Sequence, residues 1–594
     1  MSRSRSGPHG GARAGIATFP RGRIRFVLVA WLVCLLALLG RVGYLQTARA
    51  DDLRRIAQRQ QVDVVPVPAS RGRIYDRNGR VLATNVLADS AYAIPNAVLR
   101  PHDFANKVGP VLGVPPGEIL RRLERGGYFV WLARHLPADV AGRLRALRLD
   151  GQLGFLAEQR RAYPNGVLAA HVLGFAGVDN QGLSGVELQY DRALRGSPGE
   201  AVLLRDAMGR EIPEGRRLLR PATDGADLVL TIDEVVQHIA ERELASAAKQ
   251  ARARGGSVIV MDVRTGGVLA LANYPRYNPN RYETADPQTW RNRAIADAYE
   301  PGSTFKIVVV AAALDAGRIG EDTTLSCPGY LVVPGNHRIR EAHGVAHGRV
   351  LPADIVRLSC NVGAALTGAR LGPANLHRYA RQMGFGSPTG IDLPGESPGI
   401  LRPVREWSGS DVYTISFGQG IATTPLQLVT AVATMANGGR RVRPHVVSLI
   451  RDADGRVRRV IEPTPGPQVL KPSVARAMME MMVRTVTDGT GTAAAIEGYA
   501  VAGKTGTAQK PNPAGGYLAG RFVSSFVGIV PADRPRLAIL AMLDEPQGPY
   551  YGGVVAAPIF QRVASQTLWY LRVPPAPSTF GDRMDRGRQT GARD

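Results

Sequence analysis

Glu300-Pro301-Gly302-Ser303-Thr304-Phe305-Lys306-Ile307-Val308-Val309-Val310 is the stretch from which the rest of the chain can be read. Pro-Gly ahead of a serine and a long apolar run predicts a helix opening at Ser303 and reaching residue 316. Residues three apart share a helix face, so the Ser303 hydroxyl and the Lys306 amine are expected within hydrogen-bonding reach. N–H groups of a first helical turn favour negative charge at the same place. A serine needs a base to become a nucleophile, and a desolvated lysine of lowered pKa is such a base.

The spacing alone is weak evidence, because Ser246-Ala247-Ala248-Lys249 repeats it. That copy falls late in an amphipathic helix expected over 234–249, with no free N-terminal amides, and reads as helix surface. Composition adds a hint. Only six of the 74 basic residues are lysine, at 107, 249, 306, 471, 504 and 510. Where arginine serves almost everywhere, a retained lysine is a candidate for chemistry that a guanidinium cannot do.

Further along the chain come Ser359-Cys360-Asn361 and then Lys504-Thr505-Gly506-Thr507, the latter between strand-like segments. Strands are expected over 228–232, 257–262 and 268–272. Helices follow over 303–316, 353–371, 424–437 and 473–487, then strands over 522–530 and 537–542 and a closing helix over 558–571. Strands, a helical block and strands again give an α/β (α+β) fold, with one antiparallel sheet packed against helices. Residues 64–222 read as short strands and Gly/Pro turns, interrupted by helices over 116–125 and 138–147. Residues 51–62 read as a polar, helix-prone stem.

The amino terminus places the protein. Phe26 to Gly40 carries no charge and follows Arg21, Arg23 and Arg25. With Val42–Leu45 added and Arg41 snorkelling outward, the run reaches the roughly 20 residues that span a bilayer. Positive charge ahead of it puts the tail in the cytoplasm and the bulk outside. Ala48-Arg49-Ala50 fits a signal-peptidase site, but it lies well beyond the apolar run, so an uncleaved anchor is favoured. The chain has 594 residues, 44% apolar and 21% charged, which excludes a wholly disordered protein and suggests two to four domains. Its net charge of +24 raises nucleic acid as a partner, but eight arginines without one acid fall in residues 1–50, and nothing elsewhere reads a base edge. Three cysteines make no disulfide framework.

Ordered S-x-x-K, S-x-N and K-T-G resembles the signature of the penicillin-binding proteins and serine β-lactamases. Arg71-Gly72-Arg73-Ile74-Tyr75-Asp76-Arg77-Asn78-Gly79, Tyr163-Pro164 through His171, Gly174-Phe175, Gly185-Val186-Glu187 and Tyr190-Asp191 resemble the elongated pedestal of class B, monofunctional penicillin-binding proteins. Arg291-Asn292-Arg293-Ala294-Ile295 and Tyr550-Tyr551-Gly552-Gly553, with Ala557-Pro558 beyond, are similar to the division-specific branch. No glycosyltransferase-sized stretch precedes the pedestal, which argues against class A.

The resemblance implies a role for each motif residue. Ser303 would be the acylated nucleophile and Lys306 its base. Ser359 would relay a proton to the leaving amine, and Asn361 would orient Lys306 and the substrate amide. Lys504 and Thr505 would bind the substrate carboxylate, Gly506 would let the substrate strand approach, and the N–H groups of Ser303 and Thr507 would form an oxyanion hole. The implied domains are a cytoplasmic tail (1–25), a transmembrane helix (26–45), the pedestal (46–225), the transpeptidase domain (226–572) and a disordered tail (573–594).

The implied activity is cross-linking of septal peptidoglycan at D-Ala-D-Ala stem peptides, inhibited covalently by β-lactams and needing no metal or organic cofactor. The implied partners are a lipid-II polymerase of the SEDS family and division scaffold proteins at the inner membrane, with the catalytic domain periplasmic. A β-lactamase or carboxypeptidase is the first rival, but Glu396, Glu406, Glu462, Glu480 and Glu497 all lack the E-x-x-L-N pattern that positions a hydrolytic water in class A lactamases. A non-catalytic β-lactam sensor or scaffold is the second. Cys360 reads as a tolerant slot rather than a nucleophile or a disulfide partner of Cys327. His343 and His347, beside Gly344 and Gly348, read as loop rather than metal ligands, and Met478, Met479, Met481 and Met482 as packing.

Overall fold

The computed structural model describes residues 21–205, 211–342 and 344–575. The expected cytoplasmic tail up to residue 20, His343 and the expected disordered tail from 576 lie outside the described residues. Strands Gly255–Asp262 (β1), Val268–Tyr274 (β2), Ala502–Pro511 (β3), Tyr517–Val530 (β4) and Leu537–Asp544 (β5) form one antiparallel sheet in the order β2-β1-β5-β4-β3. Helices Glu234–Gln250 (α1), Lys306–Asp315 (α2), Pro352–Arg357 (α3), Asn361–Leu371 (α4), Pro425–Ala436 (α5), Pro472–Thr487 (α6) and Ala557–Tyr570 (α7) pack around it.

Alternate residues of a strand face opposite ways, and here both faces are covered. Val258, Val260 and Ile539 pack on Val236 and Leu244 of α1 and on Phe560 and Val563 of α7. Ile259, Met261 and Leu540 belong to the second core, with Val308 of α2, Leu428 of α5 and Met478 and Met482 of α6. Each buried side chain of this size contributes roughly 1.5–3 kcal/mol. Helix α2 is buried on all sides, from Ile307 to Ala313, so it runs through the interior and carries Lys306 at its head into the core.

Two expectations for the helical block are corrected. The helix foreseen over 353–371 is two helices, α3 and α4, broken at Leu358–Cys360, where Ser359 has φ +60. Ser-Cys-Asn is N-cap chemistry: the Cys360 sulfur accepts the Gly363 N–H at 3.1 Å and opens a new helix. The stretch at Gly302–Phe305 is a tight 3-10 turn, and the regular helix starts only at Lys306.

The chain divides into two compact units. One comprises the chain up to Pro68 with Pro198–Ala222, and the other Ala69–Ser197 with the chain from Thr223 onward. In the first, the described side chains of helix Arg21–Gln46 are exposed except for the half-buried Leu45, and Gly22–Gln46 is long and apolar enough to cross a membrane. The same unit holds a three-stranded antiparallel sheet in which Val62–Val67 pairs with Gly199–Arg205, and that strand with Glu211–Arg220. In the second unit, the long strand Val81–Ala93 pairs with Leu153–Ala162 and Val130–Leu136, over a small core of Phe104, Val108, Ile119, Leu132 and Leu144. Arg71, Arg161, Glu187 and Asp191 form a largely buried ionic cluster beside it.

Candidate active site

All three sequence motifs meet at one cleft of about 840 Å³, lined by Ser303, Ser359, Asn361, Thr505 and Thr507 together with Glu341 and Tyr551. Three devices bring them there. The 3-10 turn presents Ser303, the break between α3 and α4 presents Ser359 and Asn361, and β3, as the sheet's edge strand, presents Lys504–Thr507.

Lys306 is completely buried. Its amine donates to the Ser359 carbonyl, to Ser359 Oγ at 3.2 Å and to Asn361 Oδ1 at 2.7 Å. These three acceptors match the three donors of an ammonium group. This corrects the expected Ser303–Lys306 hydrogen bond: among the described residues, Ser303 Oγ has no hydrogen-bond partner, because the amine is held by the Ser359 turn. Burial lowers the Lys306 pKa to about 8, partly opposed by the carboxylate of Glu341 and by Cys360 and Cys327. Asn361 is fixed in turn, its amide donating to Arg340 O at 2.9 Å and its backbone N–H to Glu341 Oε2 at 3.0 Å.

Lys504 is buried as well, and its amine reaches Thr505 O at 3.2 Å and Thr505 Oγ1 at 3.3 Å. Burial, and then the charge of Lys306, pull it well below the ordinary lysine value. Thr490 Oγ1 lies 2.8 Å from Thr505 Oγ1, and Thr507 Oγ1 accepts the Gly552 N–H at 3.0 Å. Gly506 is a glycine for a reason the sequence reading did not give. A Cβ there would meet Ser525 Oγ at 2.5 Å, Thr304 Cγ2 at 2.9 Å and Pro301 O at 3.2 Å, so its bareness lets the nucleophile turn pack on β3. Gly302, at φ +55, completes that fit: a Cβ would meet Thr507 O at 3.2 Å.

Glu341 and Thr490 escaped sequence reading. Thr490 had a usable signal, since Gly489-Thr490-Gly491 is a turn signature just upstream of K-T-G. Glu341 had none, being one acid in an irregular Arg/His loop. Among the other lysines, Lys510 pairs with Asp544 at 2.9 Å and Glu545 at 2.7 Å, Lys471 donates to Asp315 O at 3.1 Å, and Lys249 is exposed. Scarcity of lysine therefore marks the site only when joined to burial. Ser246 and Lys249 both lie on the exposed face of α1. Ser246→Ala and Lys249→Arg are expected to change stability by no more than about 0.5 kcal/mol. They should also leave covalent penicillin labelling unchanged, and a drop in labelling would move the nucleophile assignment to this copy.

Residues 256–565 match the penicillin binding protein transpeptidase domain, and residues 66–230 the penicillin-binding protein dimerisation domain. The chain is 35% identical over 591 residues to the peptidoglycan D,D-transpeptidase FtsI of Escherichia coli K12, covering 97% of each. It is 36% identical over 561 residues to the probable peptidoglycan D,D-transpeptidase PenA of Neisseria gonorrhoeae, covering 93% of this chain and 94% of the relative. Its structure superposes on penicillin binding protein 3 of Mycobacterium tuberculosis, solved with aztreonam, with a TM-score of 0.68 at 29% identity over 87% of this chain and 98% of the other. With the two domain matches in this order, and more than a third of its residues shared with relatives along nearly its whole length, the chain belongs to the penicillin-binding protein transpeptidase family.

Proposed function

We propose that the protein is a membrane-anchored serine D,D-transpeptidase that cross-links peptidoglycan and is acylated by β-lactams. One observation carries the chemistry: a fully buried Lys306, its pKa lowered to about 8, held by Ser359 and Asn361 beside a cleft that Ser303 and the K-T-G edge strand also line. Ser303 Oγ attacks the carbonyl of the penultimate D-Ala and passes its proton to neutral Lys306. The N–H groups of Ser303 and Thr507 stabilise the oxyanion. The C–N bond breaks, and the terminal D-Ala leaves with a proton delivered through Ser359. An amine from a neighbouring stem then attacks the ester, which restores Ser303 and forms the cross-link. Lys504 and Thr505 bind the carboxylate of the donor, and that anion restores the charge Lys504 loses on burial. Edge strand β3 offers its unpaired backbone groups to an extended peptide.

The resemblance to division-type relatives supports a septal role, with the catalytic domain outside the inner membrane, the basic tail in the cytoplasm, and a SEDS-family polymerase and division scaffold as partners. The pedestal is assigned to 46–225 and the transpeptidase domain to 226–572, ranges that contain most of the family match at 66–230 and all of that at 256–565. The test is adduct mapping. Full-length protein incubated with a penicillin should gain one equivalent of drug, on the peptide containing Ser303. Adduct on another serine would overturn the assignment, and no adduct would overturn the acyl-enzyme itself.

A further inference from the structure

Cys327, Glu341, His347 and Cys360 come from three segments: the strand Leu325–Cys327, the two ends of the loop between His337–Arg340 and Gly348–Val350, and the turn that opens α4. One ligand atom from each lies within 4.8 Å of every other. Cys327 and Cys360 are fully buried, and Glu341 nearly so. We propose that these four side chains form a zinc(II) site directly behind the Ser359–Asn361 turn.

The distances support four ligands around one ion. Zinc bonds to sulfur, nitrogen and oxygen of roughly 2.0–2.3 Å put tetrahedral neighbours about 3.3–3.8 Å apart. The two sulfurs stand 3.3 and 3.2 Å from Glu341 Oε1 and 3.2 Å from each other, so they part by about half an ångström to reach the roughly 3.8 Å that two Zn–S bonds set. His347 Nδ1 is 3.6 Å from Cys327 Sγ and 3.9 Å from Glu341 Oε2. Sulfur, imidazole and carboxylate together are a borderline-soft set, which suits zinc rather than calcium or magnesium. A disulfide would account for the two sulfurs but not for the histidine and the carboxylate converging on them.

Charge is consistent with a cation. Both cysteines donate to Glu341 as thiols; once deprotonated, the set would carry three negative charges in an enclosed place, of which a divalent cation cancels two. The carboxylate is already held in its charged form by the Asn361 and Val362 N–H groups, at 3.0 and 2.8 Å. Cation binding therefore displaces two protons, one from each thiol. The placement gives the site a task. Cys360 stands between Ser359 and Asn361, and Glu341 holds the first N–H groups of α4. A cation bound here ties the turn carrying both Lys306 partners to the strand Leu325–Cys327 and to both ends of the 341–347 loop. It acts as a positioning element, although Glu341 and His347 also line the Ser303 cleft. The assignment depends on the four donors alone and stands or falls independently of the catalytic reading.

The test uses full-length protein in detergent, purified under reductant, freed of metal and then equilibrated with zinc. Elemental analysis should find about one zinc per chain, with calorimetry in buffers of different ionisation enthalpy reporting about two protons released per zinc. Cobalt in place of zinc should give the visible bands of a tetrahedral site and a thiolate charge-transfer band, a readout on the wild-type chain that needs no variant. Cys327→Ser and His347→Ala, with folds checked by circular dichroism, should each weaken zinc binding about tenfold or more. Wild-type protein that retains no zinc would overturn the proposal. So would zinc held equally well by Cys327→Ser, or a cobalt spectrum without thiolate character. Non-reducing peptide maps of protein taken directly from membranes, showing Cys327 joined to Cys360, would replace the cation with a disulfide.

Discussion

Lys306→Arg is expected to slow acylation by penicillin about 10²–10⁴-fold, the loss typical of removing a general base. The substitution keeps the positive charge, so the loss isolates proton transfer. Lysine at 306 can be neutral because burial has lowered its pKa to about 8. An arginine stays protonated in the same place and has no lone pair to offer Ser303. Lys504→Arg sets the comparison. Lys504 is assigned to face a carboxylate, which an arginine also does, with a wider head. It should therefore retain measurably more acylation than Lys306→Arg in the same assay. Equal losses would count against a base role peculiar to Lys306, and a reversed order would move that role to Lys504.

The same assignment fixes the pH dependence. The active form of Lys306 is the neutral amine, so the acylation rate of the wild type should rise about tenfold per unit as pH climbs towards about 8 and level off above it. The residual rate of Lys306→Arg should lack this break. A wild-type rate that falls through pH 8 would mean that the charged amine is the working form.

Much of this site was legible because its chemistry is written in short local words. S-x-x-K, S-x-N and K-T-G each sit on an element whose start or surroundings are encoded nearby: Pro301-Gly302 before the serine, Ser-Cys-Asn as a cap, and the strand-like residues 522–530 after K-T-G. Packing decided the rest. An unbroken helix over 353–371 is a fair reading of propensity, and only the tertiary need to aim Ser359 and Asn361 at Lys306 puts a serine at φ +60. The Ser303–Lys306 hydrogen bond is missing for a related reason: sequence spacing says which side chains can meet, not which of several acceptors wins an ammonium. Glu341, Cys327 and His347 reach Cys360 through loop geometry, which has no period to read. In the pedestal-like portion, the motif around Arg71 was legible as a resemblance, while its physical reason lay in partners more than 100 residues away.

Removing that reason should be costly. Glu187 is fully buried and accepts from Arg71 Nε at 2.7 Å and Arg161 Nε at 2.6 Å, with Tyr163 OH at 3.3 Å. In Glu187→Ala, Arg71 keeps Asp191 at 2.7 Å, but Arg161 keeps only neutral acceptors, Gly72 O at 2.7 Å and Asn85 Oδ1 at 3.1 Å. Two guanidinium groups would then share an enclosed space with one carboxylate between them. Breaking a buried pair by removing one partner costs about 3–5 kcal/mol, because the remaining charge is left uncompensated. Glu187→Ala is thus expected to lower the unfolding free energy by about 3–5 kcal/mol, and the denaturation midpoint with it. Glu187→Gln, which keeps two acceptor lone pairs and the side-chain volume, should lose less. The loss belongs to folding rather than chemistry: at temperatures where Glu187→Ala is still native, penicillin should label it at the wild-type rate. An unchanged midpoint would show that water or a shifted arginine takes over the charge. A slowed labelling rate in folded protein would show instead that this cluster reaches the Ser303 cleft.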